Sequence, residues 1–155
     1  MAVNSVTITC KLKLKESPMI RLEHVNLVVD DIPAALAFYG AAFPHWKVRA
    51  EGDGDWYGKP RHWLHFGDDY QYLAFNDHGE GSNRDLEGHQ VGLAHFAFVT
   101  NDLDAVIARL TSTGFAIAKE GADSPYRKNI YFNDPAGFEV EFVEYLTDLP
   151  AERNA

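Results

Sequence analysis

Apolar and polar residues alternate with a strand-like period of two, pass to a helical period and return to alternation, and the chain does this twice. Residues 22–29 and 93–99 alternate and are rich in β-branched and aromatic side chains, which predicts a strand with two distinct faces. In the first of these, Val25, Leu27 and Val29 form one face and His24, Asn26 and Val28 the other. A helix start follows each strand. Asp31, and Asn101 with Asp102, offer acceptors to the free amides of a first turn, and Pro33 is tolerated where no intrahelical donor is needed. Ile32, Ala35, Leu36, Tyr39 and Phe43 recur at helical spacing, as do Leu103, Val106, Ile107 and Leu110, until Pro44 and Gly114 end the runs. Strands are then predicted at 46–50, 61–66 and 70–76, and again at 115–119, 129–133 and 138–145. Residues 51–60, with three glycines and Pro60, read as a mobile loop, and Asp134-Pro135-Ala136-Gly137 as a turn.

The two runs are copies. A shift of 71 positions lays His24 on His95, Val28 on Val99, Asp31 on Asp102, Ala34 on Ala105 and Ala37 on Ala108, five identities in fourteen positions. The expected fold is α+β, with two strand-helix-three-strand modules in tandem at 19–76 and 92–146, joined by a linker at 77–91 and followed by a tail at 147–155. Residues 1–18 form an extension in which Val6, Ile8, Cys10, Leu12 and Leu14 alternate with polar residues as one further strand; Met19 is an alternative start.

Composition narrows the classes. A chain of 155 residues, 46% hydrophobic, is enough for one domain with a real core. No window reaches the length of a membrane span, no signal peptide opens the sequence, and a single cysteine excludes an intrachain disulfide, so a cytoplasmic protein is expected. With 14 Lys and Arg against 23 Asp and Glu, the net charge of −9 repels phosphate backbones and anionic lipid, which argues against nucleic-acid and membrane partners. No nucleophile elbow exists, and the glycines at 52–58 miss dinucleotide-loop spacing.

The chemistry sits at repeat-equivalent points. His24 and His95 share the face opposite the apolar one and would meet if the copies packed about a pseudo-twofold axis. On the last strand Phe138, Val140 and Phe142 point to the helix, which leaves Glu139 and Glu141 on the other face, where a buried carboxylate needs a cation or metal. His62 and His65, three apart on one strand, are rivals of which only one faces inward; His45, His78 and His89 fall in loops.

Paired modules with a histidine on each first strand, and Tyr131-Phe132-Asn133-Asp134-Pro135-Ala136-Gly137 followed by Glu141, resemble the vicinal oxygen chelate superfamily, also called the glyoxalase/bleomycin resistance/dioxygenase superfamily, over residues 20–145. The resemblance implies a cup-shaped, barrel-like mixed sheet with helices outside. Within it His24, His95 and Glu141 would hold one divalent metal, whether Fe, Mn, Zn, Ni or Co, with open positions for water or a substrate offering adjacent oxygens. Tyr131 would be a proton donor, and Glu139 a proton acceptor on the same face.

Departures from the family patterns are also informative. Superposing 70–75 on 138–143 sets Leu73 opposite Glu141, so the fourth ligand of glyoxalase I-like and epimerase-like enzymes is missing. The histidine that precedes the tyrosine in extradiol dioxygenases is replaced by Ala122 to Pro125, and the arginine of fosfomycin-modifying enzymes by Thr147, Asp148 and Pro150. The resemblance therefore implies a metal-dependent enzyme of lyase, isomerase or dioxygenase type acting on a small oxygenated substrate. The alternative is a metal-free, bleomycin-resistance-like protein that sequesters an aromatic molecule against Trp56, Tyr57 and Trp63. Trp56 and Trp63 are substrate-binding candidates in either case, as are Arg127 and Lys128, two cations before Tyr131 that would receive an anionic group. A homodimer is expected, with residues 1–18 as an edge to be covered.

Overall fold

The computed structural model describes residues 20–153. The strand expected in the extension, Cys10 and Met19 lie outside the described residues.

Each module is a strand, a helix and three strands: β1 (His24–Val28), α1 (Ile32–Ala42), β2 (Lys47–Trp56), β3 (Lys59–Gly67) and β4 (Tyr72–Asn76), then β5 (Phe96–Thr100), α2 (Leu103–Ser112), β6 (Ile117–Glu120), β7 (Arg127–Asn133) and β8 (Glu139–Tyr145). The repeat seen in the sequence is a repeat of caps. Asp31 Oδ1 accepts from the Ala34 amide and Asp102 Oδ1 from the Ala105 amide, both at 2.9 Å, so equivalent aspartates start equivalent helices.

The strands form two mixed four-stranded sheets, sheet A in the order β1-β4-β3-β2 and sheet B in the order β5-β8-β7-β6, with β1 parallel to β4 and β5 parallel to β8. Among the described residues, the first strand of each module is an end strand. The two sheets remain separate within one chain and share one apolar core. α1 links them: Tyr39 packs on Phe75 of sheet A at 5.3 Å between ring centres, and Phe38 on Phe132 of sheet B at 6.5 Å. Arg109 of α2 donates from Nε and Nη2 to the Ala41 and Ala42 carbonyls, each at 3.0 Å, and so satisfies the free end of α1.

The Asp134 turn also joins the modules. Its side chain accepts from the Tyr39 hydroxyl at 2.8 Å and from the Phe138 amide at 2.8 Å, with both Tyr39 and Asp134 buried. Gly137 closes the turn at φ 84°, a conformation that disfavours any side chain. Burial pushes the Asp134 carboxyl above its ordinary value, and burial followed by the Asp134 charge does the same to the Tyr39 phenol.

Two expectations are corrected. Residues 51–60 are not a loop but a β-hairpin, with β2 running to Trp56 and pairing in register with β3. The glycines suggested mobility, yet Tyr57 at φ 51° and Gly58 at φ 88° make the two-residue turn whose twist suits a hairpin, and the Gly58 amide donates to Asp55 Oδ1 at 2.8 Å. The second correction is one of register. Asn26 pairs with Ala74 where Ala97 pairs with Glu141, so Ala74, not Leu73, is the counterpart of Glu141. A slip of one residue moves a side chain to the opposite face. The first module still offers no carboxylate there.

Candidate metal centre

Alternation along each strand sends one set of side chains to the shared core and the other to the outer face. In sheet A, Leu27, Leu73 and Phe75 face the core, while His24, Asn26, Tyr72, Asn76, Trp63 and His65 share the outer face. In sheet B, Val140, Phe142, Ile130 and Phe132 face the core, and His95, Glu139, Glu141, Asn129 and Tyr131 lie outside.

The sheet B cluster is tightly connected. His95 Nε2 lies 3.2 Å from Glu141 Oε2, and its Nδ1 lies 3.7 Å from Glu139 Oε1. Asn129 Nδ2 donates to Glu141 Oε1 at 2.6 Å and to the Tyr131 hydroxyl at 3.1 Å. The Tyr131 ring stands edge-on to His95 at 5.5 Å. Burial, then the neighbouring Glu141 carboxylate, raises the Tyr131 phenol above its ordinary value. Lys119 reaches in from β6, donating to Glu139 Oε1 at 2.8 Å with its ammonium 4.3 Å from the centre of the Tyr131 ring. Gly121 leaves the space that Asn129 fills, since a Cβ there would stand 1.7 Å from Asn129 Oδ1.

His24 has different neighbours. Its Nδ1 meets Glu23 Oε2 at 3.0 Å, and its ring stacks on Tyr72 at 4.7 Å. Tyr72 continues to His65 at 4.6 Å and carries the Arg49 guanidinium at 4.7 Å. Burial, with the nearby His24 and Arg49 charges, lowers His65 below the usual imidazole value. His62 lies on the other face, bonded to Asp53 Oδ1 at 2.9 Å, which raises it. Among the described residues no three His, Cys, Asp or Glu side chains are placed to hold a metal ion. The structure thus brings His95, Glu139, Glu141 and Tyr131 together, and within one chain His24 does not join them.

The other candidates divide. Trp56 and Trp63 both lie on the outer face of sheet A, the latter lining a cavity with the former. Arg127 shares the outer face of β7 with Tyr131, four residues away, and donates to the Arg153 carbonyl at 3.3 Å. Lys128 falls on the opposite side of that strand, with Ile130 and Phe132. Lys119 is the cation beside the tyrosine. Neither Asn129 nor Lys119 was among the sequence candidates: alternation from Tyr131 could have found Asn129, whereas Lys119 depends on a cross-strand register interrupted between Ile117 and Lys119.

The donor set of two imidazoles and a carboxylate is one that divalent metals accept. Asn129 holds one oxygen of Glu141 and leaves the other directed at His95 Nε2, while Glu139 lies on the side of the far ring nitrogen at 3.7 Å, outside hydrogen-bond distance.

Among known proteins, the sequence model of the Glyoxalase/Bleomycin resistance protein/Dioxygenase superfamily matches residues 21–142. No curated protein matches the chain. Solved structures with the same fold include a glyoxylase/bleomycin resistance protein/dioxygenase domain from Frankia sp. EAN1pec, at 21% identity and TM-score 0.68, covering 89% of this chain and 100% of that one. A lactoylglutathione lyase from Agrobacterium tumefaciens is 25% identical at TM-score 0.57, covering 82% and 95%. A variant of the fosfomycin resistance protein FosX from Listeria monocytogenes, complexed with Mn(II) and 1S,2S-dihydroxypropylphosphonic acid, is 20% identical at TM-score 0.63, covering 86% and 98%.

Proposed function

The chain belongs to the glyoxalase/bleomycin resistance protein/dioxygenase superfamily, and on that premise we propose that it is a metal-dependent enzyme whose site is completed between two copies of the chain. The observation that carries this reading is the pairing of His95 Nε2 with Glu141 Oε2 on the outer face of sheet B, while the repeat-equivalent His24 stands on the outer face of sheet A. A FosX relative crystallised with Mn(II) supports a divalent ion as the ligand.

A second copy supplies the missing half. Among the described residues β1 and β5 are end strands, and their outward residues Val28 and Val99 are 45% and 71% exposed. Between these two edges a cleft of about 810 Å³ opens onto Phe43, Trp46, Phe98 and Phe142. Apolar edges of this kind invite pairing. A twofold dimer that laid β1 of one copy beside β5 of the other would cover both edges twice and bring each His24 to the partner's His95 and Glu141.

The bound ion would act as a Lewis acid toward a chelating substrate oxygen. His95 would offer Nε2 to it and keep Nδ1 as the protonated nitrogen, on the side where Glu139 lies. Asn129 fixes Glu141. The Tyr131 phenol, protonated at neutral pH, hydrogen-bonds to a substrate oxygen and can deliver its proton there, and Lys119 offsets negative charge on substrate and Glu139. The substrate is a small oxygenated molecule, and the reaction is of lyase, isomerase or dioxygenase type.

Metal analysis after loading with Mn(II) tests the reading. His24→Ala, His95→Ala and Glu141→Ala should each sharply lower stoichiometry while far-ultraviolet circular dichroism stays native, and sedimentation should give a dimer. Full metal content in His95→Ala, or a monomer at micromolar concentration, would overturn it. A second reading, metal-free sequestration of an aromatic molecule, is favoured by the indoles of sheet A; it requires tight retention of such a ligand with all three substitutions in place.

A further inference from the structure

Of the open sheet edges among the described residues, β2 is the longest, and it is acidic. It pairs with β3 on one side only, and every residue of it except Gly52 is exposed. Its pairs from Asp53–His62 to Trp56–Lys59 run beyond β4, whose pairing with β3 stops at Trp63. There the hairpin is a ribbon of two strands, an arrangement of marginal stability without a third. Glu51, Asp53 and Asp55 alternate along β2 and so share one face. His62 answers two of them, 3.5 Å from Glu51 and 2.9 Å from Asp53, which leaves the face negatively charged. The opposite face carries Ala50, Gly52 and Gly54, with the Trp63 indole 3.0 Å from where a Gly52 Cβ would stand, and ends at the half-exposed Trp56.

The complement to this edge stands in the sequence before β1. Thr9, Lys11 and Lys13 alternate there with Ile8, Cys10, Leu12 and Leu14, one basic and one apolar face. Charge distinguishes the edges. β1 and β5 contain no carboxylate, and the short β6 sets Glu120 beside Lys119, so only β2 offers alternating acids to alternating lysines. The same acids repel the β2 edge of another copy. Topology sets the direction. His24, Tyr72, Gly67 and Lys47 lie in one row across sheet A, and β2 runs parallel to β1. A segment leading into β1 therefore runs antiparallel to β2, toward Lys47. The nine steps from Lys15 to His24 reach about 30 Å at about 3.3 Å each, and the four strand spacings to be crossed need about 19 Å.

We propose that the β2 edge is the docking site of the chain's own N-terminal segment, which adds to sheet A as a fifth, antiparallel strand. Lys13 stands opposite Glu51 and Lys11 opposite Asp53, while Leu12 and Cys10 pass beside Gly52 and Gly54 and Ile8 meets Trp56. The glycines that weaken β2 as a strand thus make room for the larger side chains of its neighbour. The added strand covers the edge, turns the ribbon into three strands and supplies the cations that the acidic face lacks. None of these residues belongs to the proposed metal site, and the docking does not depend on it.

Cross-linking in the full-length protein tests the register. Cys10 is the single cysteine, and a Cβ at Gly54 meets nothing within 4 Å, so Gly54→Cys sets a second thiol opposite it without strain. Under oxidised glutathione the two should close a disulfide within one chain, read by non-reducing electrophoresis and by mass spectrometry of the linked peptides. Ala118→Cys, on the β6 edge, should cross-link at least about tenfold more slowly. Lys11→Glu with Lys13→Glu should slow the Gly54→Cys cross-link by about the same factor, and Glu51→Lys with Asp53→Lys should restore it. Hydrogen exchange on the unaltered protein gives a readout that needs no substitution: alternate amides between Ile8 and Lys13 should be protected about 100-fold. Equal rates for Gly54→Cys and Ala118→Cys, a cross-link only between chains, indifference to charge reversal, or unprotected amides would each overturn the docking. Metal stoichiometry, which tests the metal-dependent reading, has no part in these outcomes.

Discussion

Asn129 is the residue on which the sheet B cluster turns, because one amide nitrogen serves both Glu141 and Tyr131. Asn129→Ala should lower metal affinity about 10- to 100-fold without unfolding, the usual cost of losing a group that orients a ligand. Gly121→Ala should act in the same direction, since its Cβ would displace the Asn129 carboxamide; competition with a chromogenic chelator measures both. Tyr39 and Asp134 play a structural part of similar weight. Tyr39→Phe removes a donor from a buried carboxylate and should cost about 1–3 kcal/mol in urea unfolding at neutral pH. Burial holds the Asp134 pKa above its unfolded value, so its contribution favours folding below the unfolded pKa and is lost as pH rises through the folded one. The Tyr39 hydrogen bond works against that rise, so its removal should make the loss larger at pH 7 than at pH 4. An equal loss at both values would contradict the assignment.

At the scale of elements, what the sequence revealed followed from local chemistry. The caps at Asp31 and Asp102, the alternation of β1 and the turn at Asp134 each depend on a few neighbouring residues, and each was legible. The β2–β3 hairpin was not, because its turn places a tyrosine, not a glycine or asparagine, at positive φ and its strands contain Gly52 and Gly54, which weaken the strand signal. Pairing with β3 overrides that weakness. Tyr57→Asn should therefore raise stability by about 1 kcal/mol, as an upward shift of the thermal midpoint, because asparagine tolerates the left-handed conformation. The exchange of Leu73 for Ala74 as the counterpart of Glu141 has a different origin: parallel register between β1 and β4 is a tertiary fact that a linear superposition cannot locate to one residue.

For the whole molecule, the repeat made the equivalence of His24 and His95 readable and left open where the two faces meet. A pseudo-twofold in sequence is satisfied equally by modules that face each other in one chain and by modules that share a core and face a second chain. The packing of α1 against both sheets, through Phe38 and Tyr39, gives the shared core on which the proposed two-chain site rests. Homodimer formation should accordingly weaken when β-edge residues are charged; Val99→Lys should shift sedimentation toward monomer and reduce metal content together. The most direct measurement is complementation between two metal-deficient variants. His24→Ala and Glu141→Ala proteins, each free of metal, are mixed, exchanged through mild denaturant and reloaded with Mn(II). In a site shared between copies, each mixed dimer regains one site with all ligands intact, so random pairing should restore about a quarter of wild-type metal content. Metal content no greater than that of either variant alone would contradict a site built from two chains.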